Sequence, residues 1–214
     1  MVIANVLMKQ NMADYAGVRS LAEELGVKYT VDPTITPRMD GDRSSLSLGI
    51  SHNDLRDVFH DTNLIGPGDA DYPLASTDDG AVLDQVPCSA GHSFCYVSPY
   101  GDVFPCVQFP LPSGNVRRQK FTDIWRLSRE LNEVRAIRLR DLPACSHCTH
   151  VGTCTRCPGL AYMEGNMRGP STQDCEKSFA RTGIPSDNLL SQKPSESKLI
   201  KILTPPMTPK AVSV

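Results

Sequence analysis

The beginning of the chain shows a strand-like pattern, then a helical period, then a second strand-like pattern. The apolar run in MVIANVLMKQN predicts a buried strand, and VKYTVDPTIT alternates as a second strand. Between them, apolar residues recur at helical spacing: Tyr15, Val18, Leu21, Ala22 and Leu25. Asn11 is expected to cap this helix in a capping box with Asp14, and Gly26 to follow its last turn. The pattern therefore predicts a βαβ unit, which normally belongs to a parallel sheet.

The patterning changes after this unit. SHNDLRDVF predicts a short helix capped by Ser51. GPGDADYPLASTDDG is typical of a turn-rich linker, so a domain boundary is expected within residues 64–84. FCYVSPYGDVFPCV has two short β-prone runs around the turn SPYGD and predicts a hairpin. FTDIWRLSRELNEVRAI predicts one amphipathic helix with an apolar face of Ile124, Leu127, Leu131 and Val134.

These patterns predict an α+β fold in two parts. One βαβ unit cannot cover both faces of a parallel sheet, so residues 1–64 are expected to be the last part of a larger α/β domain. A small independent α+β domain is the alternative. Residues 65–84 are the predicted linker, and residues 85–183 are a predicted small cysteine-rich domain with a hairpin and a helix. The segments SQKPSESK and TPPMTPK predict a disordered tail over residues 184–214.

Composition and charge narrow the function without identifying it. The 214 residues are 40% hydrophobic and 21% charged, as in an ordinary globular protein. The formal net charge of −2 gives no electrostatic reason to expect nucleic acid or an anionic membrane as a partner. No stretch approaches the roughly 20 apolar residues that cross a bilayer, and the start lacks the basic region of a secretion signal. A cytoplasmic protein without a membrane or nucleic-acid partner is therefore expected.

The eight cysteines are the strongest chemical signal in the sequence. In a secreted chain they could form disulfides, but secreted disulfide scaffolds are usually shorter and denser in cysteine. The segment CSHCTHVGTCTRC contains two CxxC pairs, and no export signal precedes it. The pairs therefore indicate reduced thiolates that bind a metal.

The identity of the metal depends on how the thiols are divided. One zinc site would use the four cysteines of this segment: Cys145, Cys148, Cys154 and Cys157. Such a site would leave four cysteines without a role, and zinc ribbons usually separate their pairs by more residues. Eight cysteines divide evenly into two [4Fe–4S] clusters with four thiolates each. His147 and His150 could be zinc ligands, but they are expected to be exposed loop residues or donors near the sulfurs.

The wider cysteine spacing resembles the SPASM domain, the C-terminal extension of many radical S-adenosylmethionine (radical SAM) enzymes. That family's pattern is C-x(9–15)-G-x4-C, a gap, C-x2-C-x5-C-x3-C, a gap and a final C. Cys88, Gly101 and Cys106 match the first block, CSHCTHVGTCTRC matches the second, and Cys175 matches the last position. The one departure is the last gap of the second block, which has two residues instead of three. Peptide-modifying branches similar to the pyrroloquinoline quinone and mycofactocin maturases often have this shorter gap.

The resemblance implies two auxiliary [4Fe–4S] clusters whose ligands interleave along the chain. The first would be held by Cys88, Cys95, Cys106 and Cys157. The second would be held by Cys145, Cys148, Cys154 and Cys175. Cys95 lies outside the family's core motif, and a free buried cysteine is the alternative there. Gly101 permits a positive-φ turn in the hairpin, and Pro105 and Pro158 stiffen the loops beside two of the ligands.

The resemblance also implies a function that this sequence carries only in part. Residues 1–64 resemble the last strand–helix–strand unit of a radical SAM partial (β/α) barrel. The CxxxCxxC loop that holds the catalytic [4Fe–4S] cluster and S-adenosylmethionine in that family does not occur in this sequence. The expected role is therefore electron transfer or substrate positioning by auxiliary clusters. The whole enzyme would be a maturase similar to the pyrroloquinoline quinone, mycofactocin and anaerobic sulfatase maturases. Expected partners are a peptide or protein substrate and a reductant such as a flavodoxin or ferredoxin.

Two other classes of function remain open from the sequence. The chain could be a stand-alone iron–sulfur electron-transfer module without catalysis of its own. It could also be a zinc-binding interaction domain. Iron and zinc analysis separates the second of these from a cluster-binding protein.

Overall fold

The computed structural model describes residues 1–65 and 80–191, which have a mixed α and β architecture with small sheets. The first range contains β1 Val2–Val6, α1 Tyr15–Glu24, β2 Lys28–Asp32, α2 His52–His60 and α3 Thr62–Ile65, with 3-10 turns at Met12–Asp14 and Ser44–Leu48. The second contains α4 Gly80–Leu83, β3 Tyr96–Val97, β4 Asp102–Phe104, β5 Gly114–Asn115, α5 Phe121–Leu127, α6 Arg129–Ala136, a 3-10 turn at Leu139–Asp141, α7 Pro158–Met163, α8 Thr172–Thr182 and α9 Asp187–Ser191. Most of the predicted linker lies outside these ranges. Within them, no helix is both long and apolar enough to cross a membrane.

β1 and β2 form a parallel pair, with Val2 opposite Lys28. α1 connects them and buries Ala22, and Gly26 follows the helix with a φ of +61°. That backbone conformation favours glycine, which is why the helix stops there. The predicted strand–helix–strand unit is confirmed, and its assignment to a partial barrel stays a prediction.

The predicted capping box of Asn11 and Asp14 is wrong. The Asn11 side chain accepts a hydrogen bond from the Met8 N–H at 2.7 Å and donates one to the Val6 carbonyl at 2.9 Å. It therefore closes the turn after β1 and makes no cap bond to the helix. α1 begins only at Tyr15, after a 3-10 turn.

α2 packs the first part of the chain against the cysteine-rich part. Ser51 caps this helix as predicted, because its Oγ accepts the Asp54 N–H at 3.2 Å and the Asp54 carboxylate accepts the Ser51 N–H at 3.1 Å. The His52 ring lies 4.6 Å from the ring of Phe179 on α8. These contacts hold α8, the helix that carries Cys175, against the N-terminal elements.

β3 and β4 form the predicted antiparallel hairpin, with Tyr96 opposite Phe104. Gly101 lies in the turn with a φ of +90°, and a Cβ there would meet the Arg117 side chain at 2.9 Å. The turn therefore requires glycine. β5 pairs with β4 as a third strand. The sequence did not predict it because Gly114–Asn115 contains no β-prone residue.

The single helix predicted over FTDIWRLSRELNEVRAI is wrong, because the structure divides it at Ser128. α5 ends at Leu127, and the Ser128 hydroxyl caps α6 by accepting the Leu131 N–H at 3.3 Å. The break leaves Leu127 75% exposed, whereas Ile124 and Leu131 pack with Val103 in the core. A serine hydroxyl that caps a new helix has interrupted an otherwise continuous apolar pattern.

Residues 184–191, which the sequence assigned to the disordered tail, pack on the cysteine-rich part. Ser186 is 2% exposed, and the Ile184 carbonyl oxygen lies 2.9 Å from Nε2 of His150. α9 follows directly. The described fold therefore extends to residue 191, and the rest of the predicted tail lies outside the described residues.

Candidate metal centre

The segment CSHCTHVGTCTRC folds into consecutive tight turns. The Cys148 N–H donates to the Cys145 carbonyl at 3.1 Å, and the Cys154 N–H donates to the His150 carbonyl at 2.8 Å. Gly152 has a φ of +83°, a conformation that residues with a Cβ rarely adopt. These turns let three cysteines that are close in sequence reach the same cavity.

That cavity has a volume of about 30 Å³ and is lined by four thiols. They belong to Cys145, Cys148, Cys154 and Cys175. Three come from the loop, and the fourth comes from α8, whose first turn is capped by the Ser171 hydroxyl. The structure therefore brings together the four cysteines that the sequence assigned to the second cluster.

Backbone N–H groups face two of the cysteine sulfurs. The His150 N–H donates to Sγ of Cys148 at 3.5 Å, and the Ala90 N–H donates to Sγ of Cys88 at 3.4 Å. Hydrogen bonds to sulfur are among the features that set cluster potentials. The fold thus provides a backbone donor to one sulfur of each predicted ligand set.

Asp174 connects the cysteine loop to α8. It is 1% exposed, its Oδ2 accepts the Cys157 N–H at 2.7 Å, and its Oδ1 pairs with Nζ of Lys177 at 2.7 Å. A buried carboxylate is tolerated when its charge is paired and hydrogen bonded in this way. The contact fixes Cys157 directly after the part of the loop that lines the small cavity.

His150 is buried rather than exposed, so the expectation that it is an exposed loop residue is wrong, although His147 is exposed. Nε2 of His150 is 2.9 Å from the Ile184 carbonyl oxygen, so Nε2 carries the proton. Nδ1 is buried and has no hydrogen-bond partner among the described residues. His150 lines the same cavity as the four thiols, so the tertiary structure places an unsatisfied nitrogen lone pair at this site.

Burial raises the pKa of three of the thiols that line the cavity. It is the largest cause for Cys154, whose pKa rises to about 11, and for Cys175, whose pKa rises to about 12. The hydroxyls of Ser178 and Ser186 oppose this effect only in part. Burial also raises the pKa of Cys145. Without a metal these thiols are neutral at neutral pH, so a bound cation has to displace their protons.

The cysteines assigned to the first cluster are less completely assembled. Cys88 and Cys157 line a common open pocket of about 540 Å³, which Cys154 and Arg156 also line. Burial raises the pKa of the Cys157 thiol, and the nearby Cys88 adds to the effect. Cys95 packs instead against the core of the hairpin and helices, and neither Cys95 nor Cys106 lines that pocket. The structure thus pairs Cys88 with Cys157 and leaves the other two apart from them.

The donor chemistry of the second set fits a thiolate-bound metal group. In residues 1–65 and 80–191, no three Cys, His, Asp or Glu side chains converge closely enough to hold a metal ion as they stand. All eight cysteines are free thiols. Four thiols around one cavity are nevertheless the ligand set of a [4Fe–4S] cluster, and also of a structural zinc ion. Two buried nitrogens without a hydrogen-bond partner, Nδ1 of His150 and Nη1 of Arg156, belong to residues that line this cavity.

Sequence reasoning missed Arg156 and Asp174. A signal existed for Asp174, because Ser171 and Asp174 have the spacing that marks a helix start, and this could have placed Cys175 on a helix. Nothing in the sequence marks Arg156 as buried, since arginines are mostly exposed. Only the packing of the chain around it makes this residue part of the site.

Comparison with known proteins identifies the cysteine-rich region independently. Residues 88–149 match the SPASM family model, described as an iron-sulfur cluster-binding domain. Three relatives are each named AdoMet-dependent heme synthase. The protein from Methanosarcina barkeri is 35% identical over 78 residues, which is 35% of this chain and 21% of that protein. The protein from Oleidesulfovibrio alaskensis is 37% identical over 96 residues, or 44% and 24% of the two chains. The protein from Nitratidesulfovibrio vulgaris is 35% identical over 82 residues, or 38% and 21%.

This chain matches 21% to 24% of the length of these relatives, so the comparison concerns only that part of each relative. The family match begins at Cys88 and includes the first CxxC pair. Cys154, Cys157 and Cys175 lie C-terminal to it. Residues 88–149 match the iron–sulfur cluster-binding SPASM domain, and the predicted resemblance of this region to radical SAM/SPASM proteins is confirmed.

Proposed function

We propose that the cysteine-rich part of this chain binds two auxiliary [4Fe–4S] clusters in a radical SAM enzyme. The observation that carries the proposal is the small cavity lined by four thiols, which belong to two separate segments of the chain. The second cluster is held there by Cys145, Cys148, Cys154 and Cys175. When bound, it supplies one-electron redox chemistry with a potential that the surrounding protein sets.

The first cluster is assigned to Cys88, Cys95, Cys106 and Cys157. The common pocket of Cys88 and Cys157 supports the pairing of those two ligands. Cys95 and Cys106 are assigned because of the resemblance to the family pattern. Cys95 is the least supported of the four ligands, because its side chain packs against the hydrophobic core. Asp174 holds the backbone at Cys157 while its own charge stays paired, so it orients a ligand without competing for the metal.

The names of the relatives support a proposed role in the whole enzyme. They are named AdoMet-dependent heme synthase, which supports a part in haem synthesis that uses S-adenosylmethionine rather than the peptide or protein substrate expected from the cysteine pattern. S-adenosylmethionine and a third, catalytic [4Fe–4S] cluster would bind outside these 214 residues, because the CxxxCxxC loop does not occur in them. Residues 1–64 are proposed to belong to the barrel that carries that site. A flavodoxin or ferredoxin is the proposed electron donor.

Metal analysis after anaerobic purification tests the cluster proposal. The expected result is a brown protein that absorbs near 400 nm and contains about eight irons and about eight sulfides per chain. A colourless protein with one or two zinc ions would overturn the proposal and favour a zinc-stabilised interaction domain. A brown protein that accepts and passes on electrons but contributes to no S-adenosylmethionine chemistry when combined with a catalytic radical SAM part would favour a stand-alone electron-transfer module.

A further inference from the structure

Arg156 is a buried cation at the edge of the second thiol set. It is 4% exposed, and its Nε donates to the Gly169 carbonyl at 3.1 Å. Its Nη2 donates to the carbonyls of Met167 and Gly169. These acceptors hold the guanidinium in one orientation. Its remaining nitrogen, Nη1, is buried and has no hydrogen-bond partner among the described residues.

The guanidinium lies beside a cysteine of the second set. Arg156 lines the cavity together with the Cys145 thiol. Burial raises the pKa of Cys145, and the positive charge of Arg156 acts against that effect. The free face of the arginine is therefore available to a charged sulfur at Cys145.

The charges around the cavity do not balance without an anion. The other charged residue that lines it is Asp174, which is already paired with Lys177 and with a backbone N–H. Among the described residues, no carboxylate lies at ion-pair distance from Arg156. A buried cation without an anionic partner is strongly unfavourable. An anionic group that occupies the cavity would supply the missing negative charge.

We propose that Arg156 is a positioning residue for the second cluster, which donates through Nη1 to the sulfur of Cys145 and raises the reduction potential of that cluster. The inference rests on the proposed function. A cluster with four thiolate ligands is an anion whose negative charge grows by one when it is reduced. A fixed positive charge beside it therefore stabilises the reduced form more than the oxidised form. Arg156 also borders the open pocket of Cys88 and Cys157, but its charge acts directly on Cys145, so the first cluster is affected less.

Redox titration of the anaerobically reconstituted full chain, monitored by electron paramagnetic resonance, tests this role. Arg156→Gln is expected to move the potential of one cluster to a more negative value and to move that of the other by a smaller amount. Arg156→Lys keeps the charge and loses the planar fork of donors, so its shift is expected to be smaller. The matched control is Arg129→Gln, which changes an exposed arginine on α6 and should change neither potential. Parental potentials for both clusters in Arg156→Gln would overturn the inference.

A measurement on the parent protein tests the inference even if the Arg156→Gln variant does not fold. In protein labelled with 15N-arginine, pulsed electron paramagnetic resonance of the reduced chain should detect a weak 15N coupling to one cluster. Absence of that coupling in a chain that carries both clusters would overturn the inference and leave the proposed function standing. A chain that binds no cluster would overturn both.

Discussion

Cys154 and Cys175 are two thiols whose neutral form the fold stabilises. Both line the small cavity, and burial is the largest cause of their raised pKa values of about 11 and about 12. A thiol in the unfolded chain has a pKa near 8.5. The two residues therefore contribute stability to the metal-free fold that is fully present below about pH 8.5. This contribution is lost as the pH rises towards 11 to 12.

We expect the late ionisation of these two thiols to be visible in a thiolate titration. In the reduced, metal-free chain, absorbance near 240 nm should show a fraction of the thiols that ionise only above about pH 10. In the same chain unfolded in urea, all thiols should ionise near their ordinary pKa of about 8.5. The free energy of unfolding should fall by roughly 3–5 kcal/mol per buried thiol as the pH rises through this window.

The matched comparison is Cys154→Ser, which should lose part of the late-ionising fraction. Identical titration curves for the native and the urea-unfolded chain would contradict the burial of these thiols. They would also remove the reason why metal binding should release protons.

At the scale of elements, α7 begins immediately after the last cysteine of the loop and packs closely on the segment that follows Cys106. Pro158 occupies its first position, where the missing N–H is not needed. Gly159 follows, and a Cβ there would overlap the Gln108 carbonyl and approach Cβ of Phe109 at 2.9 Å. The contact brings the end of the hairpin region next to Cys157, the loop cysteine assigned to the same cluster as Cys106.

Gly159→Ala is therefore expected to destabilise the chain by about 1–3 kcal/mol, because the backbone at Gln108 has to move. The matched control is Gly17→Ala on α1, where a Cβ would meet nothing within 4 Å. It should be neutral or stabilise the chain by up to about 1 kcal/mol. Denaturant unfolding of the reconstituted proteins measures both. Equal stability of the two variants would show that α7 does not depend on this close contact.

Sequence patterns predicted the elements whose hydrogen bonds are local and missed those decided by packing. The Ser51 cap and the Gly101 turn follow from a few neighbouring residues, so they were predictable. The break at Ser128 was not, because the apolar spacing continues across it. β5 was missed because its place in the sheet comes from its partner β4 rather than from its own residues.

The same distinction between predictable and unpredictable features applies to the candidate site. The resemblance of the cysteine pattern to the SPASM family implied two sets of ligands, and the structure brings the second set to one cavity. The surroundings of the thiols depend on residues distant in sequence, such as His150 beside Ile184. A buried arginine or histidine has no sequence pattern of its own, so these groups become visible only when the chain is folded.

At the scale of the whole molecule, the loop CSHCTHVGTCTRC is the boundary between two proposed sites. Cys154 lines the small cavity with Cys175 and also borders the open pocket that Cys157 shares with Cys88. Asp174 lines the small cavity and fixes the backbone at Cys157. In the proposed assignment this one short segment serves both clusters, and its last two cysteines, three positions apart, belong to different ones.

The comparison of Cys154→Ser with Cys157→Ser tests this central claim most directly. After anaerobic reconstitution, each variant should retain about four of about eight irons, since each loses one ligand of one cubane. The electron paramagnetic resonance spectra of the reduced variants should differ, and their sum should reproduce the spectrum of the parent apart from coupling between the two clusters. Loss of the same cluster in both variants, or loss of all iron in both, would contradict two interleaved sites and indicate that the loop closes around a single metal centre.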